Sequence, residues 1–327
     1  MSLERSLLNF TVSYWNIEGI HDKTHGCKIE YLNKFLCSDI EILYETWGDC
    51  DHFSNVENYH AIKIEANKNK QTKKGRSSGG LLIFFKHYLS KFLIVKKCSE
   101  NYVWIEIDKK FFTKLDDNIL LCIAYNPPVN SQYYKDDLIE DIRNDILDLT
   151  CNHSTSIMII GDFNARIGNL QDYDCISNPN NESPLSTSTN PQSKRNACDV
   201  NVNTEGNKVI NLCKSFDLMI LNGRTSGDFW GNFTHFNNNK GASTIDLSIC
   251  SSSMFPLITS FCVAPQLEMT SHCKITTMID NPQTVHVEKI DYNWLNHGHL
   301  NTRPDKVPPQ AKYLPNQPKY ELEISHR

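Results

Sequence analysis

Nowhere in this 327-residue chain do apolar side chains run for the ~20 consecutive positions that a membrane-spanning helix requires. The opening MSLERSLLNF lacks the apolar core and cleavage site of a signal peptide. Secretion and membrane insertion are unsupported, and a cytoplasmic or nuclear location is expected. No Cys-x-x-Cys pair occurs among the 12 cysteines, and the pairs Cys151 with His153 and His272 with Cys273 lack the second half of a zinc site. The cysteines lie in apolar segments such as ILLCIAY and STIDLSIC, in a chain too long to need covalent staples, so reduced and mostly buried thiols are expected. Excess positive charge is missing too. A net charge of −5 argues against coating nucleic acid by bulk attraction, so any such contact must be local. No repeat recurs at a solenoid period.

With 39% hydrophobic and 22% charged residues, the chain has enough apolar surface for one large α/β domain or two small ones. From residue 10 onward short β-rich runs recur: FTVSYWNI, DIEILYE, YHAIKIEA, GGLLIFFK, FLIVKKC, YVWIEID, ILLCIAYNPP and SIMIIGDFN. Helical periodicity is confined to CKIEYLNKFLC, to KDDLIEDIRNDILDLTC with apolar Leu138, Ile142, Ile146 and Leu149, and to NKVINLCKSF. The segment Gln171 to Asn203 is rich in Asn, Ser, Pro and Asp, and its composition predicts a long mobile loop. Strand signals return in LMILNG, GNFTHF, STIDLSIC, ITSFCVAP and HCKITTMI, so that loop is expected to interrupt one domain, residues 1–282, rather than to separate two. Residues 283–327 are Pro- and Asn-rich without periodicity and are expected to form a poorly ordered tail or connector fragment.

Polar residues at the ends of apolar strands are where such a chain would concentrate chemistry, because rigid strands present them along one rim. SYWNIEG ends with Asn16 and Glu18, DIEILYETW with Glu45, LLCIAYNPP with Tyr125 and Asn126, and SIMIIGDFNARIG with Asp162 and Asn164. Singly, each has an ordinary explanation as turn chemistry or a surface carboxylate. Together, two carboxylates, two carboxamides, a tyrosine and a later histidine suit a hard, oxygen-liganded cation and a phosphate.

These motifs, in this order, resemble the endonuclease/exonuclease/phosphatase superfamily, which includes deoxyribonuclease I and the apurinic endonucleases. WNIEG is similar to its Asn motif, YETW to its metal-binding Glu motif, AYNPP to its Tyr motif, GDFNARIG to its Asp-x-Asn motif, STIDLSI to its Asp motif and TSHCKI to its terminal His motif. Within that superfamily, VNTEGNKVINLCKSFDLMILNGRTSGDFWGNFTHF followed by GASTIDLSI resembles the endonuclease domain of LINE-type non-LTR retrotransposons. The resemblance implies a deoxyribonuclease I-like fold: a four-layer α/β sandwich of two central mixed sheets flanked by helices. It also implies a reverse transcriptase domain as partner in a parent polyprotein, although no polymerase-like Tyr-x-Asp-Asp is present here, the one match, Tyr134 to Asp137, opening the helical run KDDLIEDIRNDILDLTC.

The same resemblance implies a Mg²⁺-dependent nick in DNA that leaves a 3′-hydroxyl, with Mn²⁺ as a possible substitute ion. Glu45 and Asn16 would hold the metal, Asp162 would activate water, and Asn164 would position water or phosphate. Tyr125 and His272 would donate to the phosphate, with Asp246 orienting His272. Asn203, Asn222, Arg224 and Trp230 are candidate DNA contacts, as are Lys73, Lys74 and Arg76 of the basic run KNKQTKKGR, for which a solvated hairpin loop is the competing reading. That run is also a weak nuclear-localisation signal. The family's terminal motif usually reads Ser-Asp-His; Ser271 stands here where the aspartate is expected. Loss of that carboxylate implies weakened activity, which Ser271→Asp is expected to raise. The alternatives are a non-catalytic, transposon-derived DNA-binding remnant and a phosphatase of the same superfamily.

Overall fold

The computed structural model describes residues 3–22, 26–27, 32–48, 56–66, 77–134, 136–151, 155–173, 194–237, 241–287, 311–312 and 324–326. Strand β1 (Leu3–Asn16) precedes the short pair β2 (His21–Asp22) and β3 (Gly26–Cys27). Then come β4 (Ile40–Tyr44), β5 (Tyr59–Ile64), β6 (Leu81–Lys86), β7 (Leu93–Cys98), β8 (Tyr102–Ile107) and β9 (Ile119–Tyr125). Helix α1 (Leu138–Thr150) leads into β10 (Ser156–Asp162), and α2 (Thr204–Ser215) into β11 (Leu218–Ile220). The hairpin β12 (His235–Asn237) and β13 (Gly241–Ser243) is followed by β14 (Asp246–Ser251), β15 (Ile258–Val263) and β16 (Ile275–Val287).

The strands form two mixed sheets, ordered β15-β16-β1-β4-β6-β5 and β11-β14-β10-β9-β8-β7. In each, a parallel pair lies at the centre, β1 with β4 and β10 with β9, and its other pairings are antiparallel. Side chains alternate across a strand, so a strand buried on both faces reads as an unbroken apolar run. β9 shows this directly. Its Leu121 and Ile123 pack between the sheets against Tyr44 and Ile160, whereas Leu120 and Cys122 face the helices. Helix α1 turns Leu138, Ile142 and Ile146 onto that outer face, at the i, i+4, i+8 spacing seen in the sequence, with Leu149 only partly buried. Helix α2 adds Val209 and Leu212; Trp15, Leu43, Leu82 and Phe84 form the outer layer of the other sheet. This is the deoxyribonuclease I-like sandwich that the motifs implied.

Both flanks of the segment expected to be a mobile loop fall among the described residues. Residues 171–173 and 194–203 are packed into the domain, with Asp172, Arg195 and Asp199 buried; the middle of the segment, 174–193, lies outside the described residues. Of the tail, residues 283–287 continue β16, and β17 (Ala311–Lys312) and β18 (Ile324–His326) pair with β5. Among the described residues no disulfide forms: Cys98, Cys122, Cys213, Cys250 and Cys273 are buried, Cys262 is half-buried, and Cys37, Cys151 and Cys198 are exposed. No helix among the described residues is long and apolar enough to cross a membrane.

Candidate active site

Parallel strands end on the same edge, and here both central pairs deliver their C-termini to one place. Asn16 closes β1 in register with Tyr44, the residue before Glu45; Asp162 closes β10 in register with Tyr125 of β9 and Asp246 of β14. Gly161 makes the last approach possible, since a Cβ there would sit 1.8 Å from the Ala124 carbonyl oxygen. The two edges are joined by Asn16, whose Nδ2 donates to Glu45 Oε1 and to Asp162 Oδ2, both at 2.9 Å. Tyr125 donates its hydroxyl to Glu45 Oε1 at 2.8 Å, and Trp47 Nε1 donates to Glu45 Oε2 at 2.5 Å. Glu45 itself takes a left-handed turn, φ 54°.

His272 is buried next to this network. Its Nδ1 lies 3.0 and 3.1 Å from the two carboxylate oxygens of Asp246, and its Nε2 lies 3.9 Å from Asp162 Oδ2. Trp15 Nε1 donates to the His272 carbonyl, and the Thr270 hydroxyl donates to the Asn16 carbonyl, so the segment before β16 is pinned to the end of β1. The His235 ring packs 4.6 Å from that of His272. Burial pushes the Asp162 carboxyl above the usual carboxylate range, and neighbouring Asp246 pushes it further. Burial alone would depress the His272 imidazole, but Asp246 outweighs it and raises its pKa. The Asp246 carboxylate thus faces Nδ1, and Nε2 is turned toward Asp162.

Asp162, Asp246 and His272 offer ligand atoms within 4.8 Å of one another, and Glu45 adds a carboxylate through the shared Asn16. Such an oxygen-rich, anionic set fits a hard divalent cation. Asn16 is held on both sides of its amide: its Oδ1 accepts from the Glu18 backbone at 3.0 Å while its Nδ2 bridges two carboxylates, which fixes it between Glu45 and Asp162. Asn164, at φ 47°, donates its Nδ2 to the Asn126 carbonyl and its backbone N–H to Asp162 Oδ1.

Three of the expected DNA contacts are instead structural. Asn203 caps α2, its side chain accepting from Gly206 N at 2.7 Å. Asn222 is fully buried and bonds the backbone of Asp246 and Ser248, holding the start of β14. Arg224 is fully buried against Asp172 at 2.6 Å. Trp230 remains at the surface, and Lys73, Lys74 and Arg76 lie outside the described residues. The sequence reading missed Glu18 as a partner of Ser271. Its carboxylate accepts from the Ser271 backbone N–H and hydroxyl, each at 2.8 Å, so an acid does stand beside His272, delivered from the end of β1. Its signal was visible as a strand-end carboxylate in SYWNIEG, but not its destination.

No protein-family model and no curated protein matches this chain. Solved structures do. The AP endonuclease LMAP from Leishmania major overlies 84% of this chain and 88% of its own, with a TM-score of 0.59 at 11% identity. The chain shares the fold of this AP endonuclease. The 3′-5′ exonuclease NExo from Neisseria meningitidis shares that fold over 83% of this chain and 100% of its own, with a TM-score of 0.54 at 15% identity. The structure of the 3′ phosphatase NExo bound to a product DNA hairpin gives 0.53 at 14% identity, over 83% of this chain and 99% of that one.

Proposed function

We propose that this chain hydrolyses phosphodiester bonds in DNA with the help of Mg²⁺, for which Mn²⁺ can substitute, leaving a 3′-hydroxyl, and that it derives from a LINE-type retrotransposon. The observation that carries this reading is the convergence of Glu45, Asp162, Asp246 and His272 at one sheet edge, bridged by Asn16. The retrotransposon origin is supported by the likeness of the segment from Val202 to Phe236 and of GASTIDLSI to LINE endonucleases. Glu45, with Asn16 beside it, would hold the cation, which supplies neutralisation of charge on the phosphate.

The protein's own groups do the rest. Asp162 Oδ2, a buried carboxylate of raised basicity, takes a proton from the attacking water. The water oxygen bonds phosphorus as the bond to the 3′ oxygen breaks, and that oxygen leaves as the 3′-hydroxyl, taking its proton from a second water molecule. His272 Nε2 is 3.9 Å from Asp162, too far for a hydrogen bond between them, and an oxygen seated between the two reaches both. Protonated His272, oriented by Asp246, donates to a phosphate oxygen, and Tyr125 is a second donor near Glu45.

The test is nicking of supercoiled plasmid in Mg²⁺ and in EDTA, with Glu45→Ala in parallel. Mg²⁺-dependent nicking lost in Glu45→Ala is expected. Absence of nicking by folded protein would favour the non-catalytic remnant. The 3′ phosphatase activity in the name of NExo supports a second reading, and release of phosphate from a 3′-phosphorylated oligonucleotide without nicking would select it.

Glu18 reverses the expectation for Ser271. An aspartate at 271 removes the hydroxyl donor and sets a second carboxylate against one already accepting at 2.8 Å. Ser271→Asp should therefore lower the nicking rate about tenfold, the order of losing one hydrogen bond to a charged group. Glu18→Ser combined with Ser271→Asp, which moves the carboxylate across the contact, should recover most of that loss. A faster single Ser271→Asp variant would refute this account of Glu18.

A further inference from the structure

The turn that carries Asp162 and Asn164 is held by a residue with no part in the chemistry above. Asn126 follows Tyr125 at the end of β9 and is 1% exposed. Its backbone N–H donates to the Asp162 carbonyl at 2.8 Å, its carbonyl accepts from Asn164 Nδ2 at 2.9 Å, and its Nδ2 donates to the Phe163 carbonyl at 3.2 Å. One residue thus bonds all three positions of Asp162-Phe163-Asn164. Asn164 stands at φ 47°, and a non-glycine residue keeps such a backbone only where its surroundings over-determine it.

Asn126 is in turn held by a buried carboxylate. Glu205, in the first turn of α2, is 2% exposed. A carboxylate there gains from the helix dipole, but that gain is available at the surface and does not require burial. Its two oxygens are divided between the two ends of one loop. Oε2 accepts from Asn126 Nδ2 at 3.1 Å; Oε1 accepts from the Tyr134 hydroxyl at 2.7 Å and from Lys208 Nζ at 2.9 Å. Lys208 lies on the same helix, whereas Asn126 and Tyr134 are 79 and 71 positions away in the chain.

The loop between those ends is stiff. Pro127 and Pro128 fix their own φ and have no N–H to donate, Ser131 N donates to the Pro128 carbonyl at 2.7 Å, and Tyr134 N donates to the Ser131 carbonyl at 3.0 Å. With both ends on one carboxylate, a displacement of Glu205 reaches Asn126 directly. The Asn126 side chain has no bonds among the described residues besides those to Glu205 and Phe163. The same helix end reaches the turn a second time, through Asn203 Nδ2, which donates to the Asn164 carbonyl at 2.9 Å.

We propose that Glu205 is a positioning residue of the active site: through Asn126 it fixes the place of Asn164, the group assigned to water or phosphate. This deepens the DNA-cleavage reading above and rests on it. Glu205 touches no reacting atom. The consequence of losing its hold therefore falls on kcat rather than on KM, as it does when a group is misplaced for the reaction and not for binding.

Glu205→Gln and Tyr134→Phe separate positioning from a merely structural role, since each takes one hydrogen bond from the same carboxylate. In Glu205→Gln the single carbonyl oxygen is drawn to Tyr134 and Lys208, two donors, and the amide NH₂ is turned toward Asn126 Nδ2, donor against donor. Plasmid nicking by the full chain in Mg²⁺ should then show kcat down about tenfold and KM within about twofold, less than the ~10²-fold that a 1 Å misplacement can cost. Tyr134→Phe leaves both the Asn126 contact and the Lys208 contact in place, and should melt below wild type while keeping its kcat. Asn126→Ala should itself lower kcat, and Glu205→Gln added to it should lower kcat no further, because its path runs through Asn126. Equal kcat of Glu205→Gln and wild type, an equal loss in Tyr134→Phe, or additive losses in the double variant overturns the assignment while leaving the wild-type nicking result untouched. Absence of nicking by the folded wild type removes it together with the DNA reading.

Discussion

Asp162→Asn should slow nicking by ~10²–10⁴-fold, the contribution of a positioned general base, while leaving the protein at least as stable as the wild type. The substitution keeps the shape of the side chain and an oxygen to accept from Asn16 Nδ2, so the bridge between the two sheet edges survives. What disappears is the group that takes the proton of water. The stability half of the expectation follows from the sign of the pKa shift. Burial and Asp246 raise the folded-state pKa of Asp162 to about 8, so folding at neutral pH must take up a proton there, and an uncharged isostere removes that cost. Single-turnover nicking at saturating Mg²⁺ and a thermal melt in EDTA separate the two effects. A variant that nicks within threefold of wild type would remove Asp162 from its assigned role. A large drop in melting temperature would show that the carboxylate is structural.

The second large effect is on folding. Asp172→Ala should destabilise the protein by ~3–5 kcal/mol, the usual cost of stripping one partner from a buried ion pair. At ~2–4 °C per kcal/mol for a domain of this size class, the melting temperature should fall by roughly 10 °C. Asp172 bonds Arg224 Nη2 and the Ile220 backbone N–H, each at 2.6 Å, and both charged side chains are fully buried. Arg224 Nε and Nη1 have no partner, so without Asp172 its charge is left with nothing to offset it. The double variant Asp172→Leu, Arg224→Met should melt well above the single one, because apolar groups of similar size carry no desolvation penalty. A single variant within 2 °C of wild type would contradict the pairing.

Most of the candidate site could be read from the sequence because its signals are local. Asn16, Tyr125 and Asp162 end strands β1, β9 and β10 and Glu45 follows β4, and the parallel pairing of the two central strand pairs brings those ends to one edge. Leu138, Ile142 and Ile146 recur at the helical period and are buried in α1. The misreadings share one cause. Asn203, Asn222 and Arg224 lie in a polar, turn-rich stretch that looks like surface, yet they cap a helix, brace β14 and neutralise Asp172. Their partners lie up to 52 residues away, and no periodicity carries that information.

The sequence by itself determined which segments become strands and helices, and which polar residues stand at strand ends, because alternation and helical period are set by neighbouring residues along the chain. Tertiary structure alone decided what those residues touch. Glu18 meets Ser271 across 253 positions, and Asn16 meets Asp162 across 146, because sheet order and register, not spacing, fix which strand ends share an edge. The same long-range packing buried Arg195 and Arg224 and left Trp230 at the surface, since a charge can leave water only where distant partners close around it.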